Sequence, residues 1–377
     1  MAEWTNNWQR NHHQKLIDFS PMRQSFLYLP FIIFLLLTAC VKDKPSTPDE
    51  ELPSTVHRSM YISNEGSMGN GNASLSVYDL EKDSIYNNVF FQKNNQSVGD
   101  VLQSTIVVGE DLFLAVNNSD KVKVVDKNTF ELKAEIPVSK PRYFLKVNDE
   151  KLYVSSIYYP KVFIINPKTY QLIGSISLDY PNSEGMLLRD EKVYIANWDT
   201  ACNYLYEIDV HTDAVLQKIN IGQKAPSQVL MDKNKDLWVL TGNIYKDVLH
   251  HWVHLDGDSK AILKTFEFST HSDIVKPTWN ATKDTLYFLA ANYEGTTEYN
   301  GLYRISIGAT STPTAAFIPA QAYQYFWALG IDSVTNQIFL GNSKGFIQSS
   351  EVNIYSAQGQ LLRSFSTGVG VGHFYFE

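Results

Sequence analysis

Cysteine is almost missing from this sequence, with two residues in a chain of 377. A disulfide framework is excluded, so packing has to hold the fold. Charge is sparse as well. Asp, Glu, Lys and Arg make up 19% of the chain while aromatics reach 13%, a combination that excludes disorder throughout. There is no basic excess. The 32 Lys and Arg residues face 40 Asp and Glu, a net charge of −8, which argues against nucleic acid as a partner. Only one long apolar run occurs and mean hydropathy is −0.22, which disfavours a polytopic membrane protein. No segment carries a long helical period either. What is present is 22 Tyr, 20 Phe and 7 Trp in a chain that is 44% hydrophobic. That composition leans towards sheet, and the length allows one large domain or two.

The N-terminus reads as an address. Arg23 supplies a positive start, Leu27 to Leu37 is apolar apart from Tyr28 and Pro30, and the run ends in Leu37-Thr38-Ala39-Cys40. This is too short for a stable span and fits a signal-peptide core. The small residues before Cys40 resemble a bacterial lipobox, in which that cysteine is lipidated and becomes the mature N-terminus. Residues 1–39 are thus the expected signal peptide, with Met22 an alternative start. Residues 40–58, rich in proline and acid, are the expected flexible tether. Its residues 41–57, seventeen in number, reach about 55 Å when stretched. Loss of the leader leaves 29 bases and 38 acids, −9, and Cys202 as the lone thiol.

Residues 59–377 carry a repeat. An apolar run ending in a small residue or Asn recurs seven times, closing at Asn64, Asn117, Ser156, Asn197, Thr241, Ala290 and Asn342. Successive ends lie about 39 to 53 residues apart, the spacing of one four-stranded propeller blade. A second strand follows each, as in LSVYDL (75–80), VFIINP (162–167) and HHWVHL (250–255). Most finish in Asp, Asn or Ser before a polar turn, residues that close turns through side-chain-to-backbone bonds. The expected fold is all-β, a seven-bladed β-propeller. The first unit lacks its innermost strand, and the terminal His373-Phe374-Tyr375-Phe376 fits the gap. Ring closure by the C-terminal strand follows.

The connections are asymmetric. One set is short and repetitive. The other is long and unlike from blade to blade, the pattern expected of binding loops on a rigid scaffold. These loops carry Tyr158, Tyr159, Trp198, Asp199, Tyr245, Asn292, Tyr293, Asn342 and Phe346. The segments leading into the next blade add Asp100, Gln103, Arg142, Tyr143, Glu184, Gln228, Lys276 and Tyr325. Aromatics beside convergent polar groups suit a large amphipathic ligand or a protein partner. Packing of blade against blade is the competing reading, above all for Tyr143, Phe326 and Trp327.

Several motifs fall away. Gly341-Asn342-Ser343-Lys344-Gly345 lacks the strand-turn-helix context of a hydrolase nucleophile. Asp232-Lys233-Asn234-Lys235-Asp236 opens like a calcium loop but lacks the glycine and bidentate glutamate, so it reads as a hairpin turn. His250 and His254 share one strand face, expected to be an outer-sheet surface row rather than a metal site. No metal and no cofactor is expected.

Taken together, Asn64-Glu65-Gly66, Gly99-Asp100-Val101-Leu102-Gln103-Ser104, Pro141-Arg142-Tyr143, Glu184-Gly185-Met186, Ala196-Asn197-Trp198 and Gly372-His373-Phe374-Tyr375-Phe376 resemble the YncE-like, surface-layer-type propeller lipoproteins of Bacteroidetes. That group includes the BtuG-type proteins that capture cobalamin. The resemblance implies a lipid-anchored outer-membrane protein facing the cell exterior. It would take a scarce ligand, in BtuG-type members a corrinoid, and pass it to a TonB-dependent outer-membrane receptor. No individual corrinoid contact can be carried over, because the ligand loops vary. A non-catalytic scaffold or adhesion propeller binding protein or glycan is the alternative. A propeller lactonase or lyase stands behind both, since no regular His or Glu recurs on the inner strands.

Overall fold

The computed structural model describes residues 58–268 and 271–377. The expected signal peptide, the expected lipidation site Cys40 and the expected tether up to residue 57 lie outside the described residues. Apolar runs of five to seven residues, bounded by Asx and Gly turns, form the middle strands. Their side chains are buried on both faces, so the runs are continuous rather than alternating. Alternate residues of one strand serve opposite neighbours. Val193 and Ile195 pack towards Tyr153 and Val162 of the preceding blade, while Tyr194 and Ala196 pack towards Val229 and Leu237 of the following one. Repeated around the chain, this gives seven hydrophobic clusters, one at each blade junction.

The twenty-eight strands, β1 to β28 in chain order, form seven four-stranded antiparallel sheets. Their innermost strands are β4 (Leu102–Val108), β8 (Pro141–Lys146), β12 (Ser183–Arg189), β16 (Pro226–Met231), β20 (Asp273–Trp279), β24 (Phe326–Ile331) and β28 (Val371–Phe376). The strand β28 lies against β1 (Ser59–Asn64), pairing Met60 with Phe376 and Ile62 with Phe374. The last strand of the chain therefore completes the first blade. The all-β seven-bladed propeller with C-terminal closure is observed. One element has no counterpart in the sequence reading, a six-residue helix at Val89–Asn94 in the crossover from the first blade to the second.

The short turns are near-copies of one another. Asp79, Asp126, Asn166, Asp209 and Asp256 each accept two backbone N–H bonds from the residues two and three positions on. The residue four positions on returns its N–H to the same residue's carbonyl and has positive φ, as at Asp83, Phe130, Tyr170, Asp213 and Lys260. Side-chain capping of the turn offsets the backbone strain. These turns share a face with the hairpins joining the innermost strands to their partners. The long loops lie on the opposite face.

Candidate functional site: the channel mouth and its aromatic loops

Each innermost strand has a register shift against its partner. Leu102 faces Val116 and Ser104 faces Ala115, leaving Gln103 without an opposite residue. Equivalent shifts fall at Arg142-Tyr143, Glu184-Gly185, Ser227, Lys276-Pro277, Trp327 and Gly372. A bulge bends the strand and re-aims the extra side chain. Six of them lie at the long-loop end of the innermost strands, and that of β20 lies further in, after three residue pairs; together they form the mouth of the central channel.

There the bulged residues find one another across blades. Arg142 donates from Nε to Glu184 Oε1 at 3.0 Å, its Nη2 stands 3.0 Å from the same carboxylate, and Nη1 donates to Gln103 Oε1. All three side chains are buried. Burial opposes the Arg142 charge, but the Glu184 carboxylate holds its pKa above the ordinary value. Burial likewise pushes the Glu184 carboxyl up, and Arg142 opposes that rise. The guanidinium also lies 5.4 Å from the Tyr143 ring centroid.

On the far side of the mouth, Lys276 donates to the Gly372 carbonyl at 2.7 Å and stands 5.4 Å from the Trp327 ring. Trp327 Nε1 donates to Glu65 Oε1 at 3.1 Å. A Cβ at Gly372 would lie 2.2 Å from that Glu65 oxygen, so any side chain there would displace the Glu65 carboxylate. His373 is half-buried on the innermost strand β28. Burial, and then the Lys276 charge, lower its pKa from 6.5 to about 3. Tyr143 approaches it with ring centroids 6.3 Å apart. Glu65 and His373 were not among the expected site residues. The pair Glu65-Gly66 and Gly372-His373 was the available signal, a glycine opposite a carboxylate.

Above the mouth, Tyr293 sits between Tyr245 and Tyr325, with centroids at 6.2 Å and 5.6 Å. Burial first, then Tyr245 and Asp273, push the Tyr293 hydroxyl pKa well up. Tyr158 and Tyr159, adjacent in one loop, are 52% and 44% exposed, and Tyr245 44%. Other expected site residues also bond within the loops. Trp198 Nε1 donates to the Gly242 carbonyl of the next blade. Asp100 accepts from the Gly69 N–H at 2.9 Å and from Asn118. Asn292 donates to Thr296 and to the Glu298 carbonyl, Asp199 accepts from the Ala201 N–H, and Asn342 accepts from the Lys344 N–H. Phe346 packs on Trp327 with centroids 5.8 Å apart. Gln228 lies beside Gly185, whose Cβ would come within 2.6 Å of the Gln228 amide oxygen.

Three further expectations meet the structure. The DKNKD stretch is a hairpin turn, with Asp232 N–H donating to the Asp236 carbonyl. The histidine row on the strand Val248–Leu255 is not an outer surface. That strand is third in its blade and covered by both neighbouring blades, so His250 is 2% exposed and bonded to Thr241 O and Asp273. Cys202 is buried, and burial pushes its thiol pKa up to about 11, which makes it unreactive.

Fold and site together define a β-propeller whose polar channel mouth is ringed by aromatic loops. The chain belongs to the family described as a domain of unknown function, DUF5074, which matches residues 58–376. No curated protein matches. Among solved structures it is similar to a quinonprotein alcohol dehydrogenase-like protein of Bacteroides thetaiotaomicron, at 14% identity and TM-score 0.62 over 85% of this chain and 78% of that one. It is also similar to apo AztD of Citrobacter koseri, at 10% identity and TM-score 0.55 over 85% and 97%. At these identities the likeness concerns the fold.

Proposed function

We propose that this propeller is a non-catalytic capture module held at the outer membrane by lipid on Cys40. It takes a large amphipathic ligand, cobalamin or a related corrinoid, on its long-loop face and passes it to a TonB-dependent receptor. The observation that carries this reading is the placement of the exposed tyrosines. Tyr158, Tyr159 and Tyr245 rise on the same face as a channel mouth whose Arg142, Glu184 and Gln103 are already bonded to one another. Such a surface offers ring faces and hydroxyls around a rigid polar floor, which suits a broad ligand with an apolar plane and amide edges. The described chain also begins on the opposite face, since Arg58 O accepts from the Leu80 N–H at a short turn. A tether leaving there keeps the aromatic loops away from the lipid.

Isothermal titration with cyanocobalamin tests the reading. Binding at micromolar concentration or tighter is expected, with a large loss on replacing Tyr158, Tyr159 and Tyr245 by Ala. Folded protein that gives no heat removes the corrinoid. A second reading, a scaffold for a protein partner, draws on aliphatic pairs exposed on outer strands: Leu172-Ile173, Val215-Leu216, Ile262-Leu263 and Leu361-Leu362. Neighbouring genes separate the two, because transport and corrinoid genes favour capture and adhesin or secretion genes favour the scaffold.

A further inference from the structure

A second polar centre lies on the short-turn face of the fifth blade, remote from the aromatic loops. The hairpin after β16 bends around Asp232, whose Oδ1 accepts the Asn234 and Asp236 N–H groups at 2.8 and 3.0 Å. Its Oδ2 accepts Trp238 Nε1–H at 3.0 Å. Asp236 Oδ1 is likewise occupied, by the Gly257 N–H at 2.9 Å. These bonds fix both carboxylates. Asp232 Oδ2, which keeps a second lone pair beside the Trp238 bond, and Asp236 Oδ2 turn towards the same point, where His254 Nε2 stands 3.3 Å from Asp236 Oδ2, within hydrogen-bond reach, and 3.8 Å from Asp232 Oδ2. The imidazole is itself fixed by stacking on Trp238, with centroids 4.4 Å apart and planes 20° apart. All three potential ligand atoms lie within 4.8 Å of one another.

The spacing also accommodates an ion. His254 Nε2 lies within hydrogen-bond reach of Asp236 Oδ2 at 3.3 Å and beyond a direct bond to Asp232 Oδ2 at 3.8 Å. Ligands held about 2.1 Å from a tetrahedral ion stand about 3.4 Å apart, close to what is seen. Access is provided too. Asp236 lines a cavity of about 310 Å³ together with Asp190, Asp256 and Asp258, which face Arg189 and Lys235. Arg189 pairs with Asp190 and Asp258, so four aspartates against Arg189 and Lys235 leave the cavity acidic on balance, and its volume leaves room for a water ligand.

We propose that Asp232, Asp236 and His254 bind a divalent transition-metal ion of the zinc class, with a fourth position open to the cavity. One imidazole and two carboxylates suit such an ion. Calcium would require six or more oxygen ligands. The neighbours that hold each ligand, Trp238, Gly257 and the Asn234 amide, supply the outer bonds that a metal site needs.

The test uses the full, tag-free chain stripped of metal. Zinc is titrated in competition with a chromophoric chelator, and cobalt(II) is added as a spectroscopic probe. One zinc per chain and the intense visible band of four-coordinate cobalt are expected. His254→Gln and Asp236→Asn should each weaken zinc binding at least about tenfold, whereas His211→Gln, on an exposed turn, should leave it unchanged. Circular dichroism establishes that the variants are folded, and Asn at 236 retains the acceptor for Gly257. Absence of zinc binding at micromolar concentration overturns the proposal, and so does binding that is unchanged in folded His254→Gln protein.

Discussion

Closure of the ring by its last strand makes a quantitative demand. The strand β28 adds five matched residue pairs to β1 and inserts Val371 and Phe374, 0% and 7% exposed, among Met60, Ile62 and Phe339. Burying such side chains contributes about 1.5–3 kcal/mol each, so these two alone supply about 3–6 kcal/mol. The whole fold is expected to be stable by about 5–15 kcal/mol. A chain ending at Gly370 therefore loses a large part of its stability and also exposes β1 as an unpaired edge. Phe374→Ala in the full chain isolates the packing share, at about 3–5 kcal/mol. Leu216→Ala, on an outer strand where Leu216 is 50% exposed, serves as control and should stay within about 0.5 kcal/mol. Urea unfolding followed by tryptophan fluorescence and far-ultraviolet circular dichroism measures all three. A truncated chain that unfolds with the midpoint and slope of the full one refutes the closure argument. Equal midpoints for Phe374→Ala and Leu216→Ala refute its packing share.

Two further predictions concern the channel mouth. Glu184→Ala should cost about 3–5 kcal/mol by leaving Arg142 buried without its partner, and the double variant Arg142→Met/Glu184→Met should cost less than the sum of the two single replacements. Additive losses in a denaturation cycle would mean that the pair is uncoupled. His373 should make stability depend on pH. Its pKa is about 3 in the fold against an ordinary 6.5, so between those values the unfolded chain holds the proton and the fold does not. Stability is then full above about pH 6.5 and declines as pH falls towards 3, by at most about 1.4 kcal/mol per pH unit. His373→Gln should flatten that slope in urea midpoints measured from pH 7 to pH 4, and an unchanged slope would assign it to other groups.

The architecture was legible because each blade repeats the same local chemistry. A run such as Val193-Tyr194-Ile195-Ala196-Asn197 is buried on both faces, and its terminal residue starts a loop. The Asp at 126, 209 or 256 encodes its turn within four residues. The site was legible only as a set of positions. Arg142 could be placed in a segment leading into a blade, but its bonds run to Gln103 and Glu184, one blade away on either side, and depend on bulges that no alternation pattern reveals. His254 was read with His250 because both lie on one strand face. The hairpins of its blade give it Asp232 and Asp236 instead. Asn292 and Trp198 also build loops, and no local sequence pattern marks their bonds to the Glu298 and Gly242 carbonyls.

The bulges have a consequence for how this surface can change. A residue without an opposite in the ladder can be exchanged without altering the register of its sheet. The mouth therefore behaves as a dial of seven separately adjustable positions set into a frame that stays fixed. Gln103, Glu184 and Trp327 are three present settings. Where neighbouring settings are bonded, as at Arg142 and Glu184, they must be turned together, whereas Ser227 can be turned alone. Libraries that vary these positions while leaving the strand partners untouched should retain the fold and alter only what the channel admits.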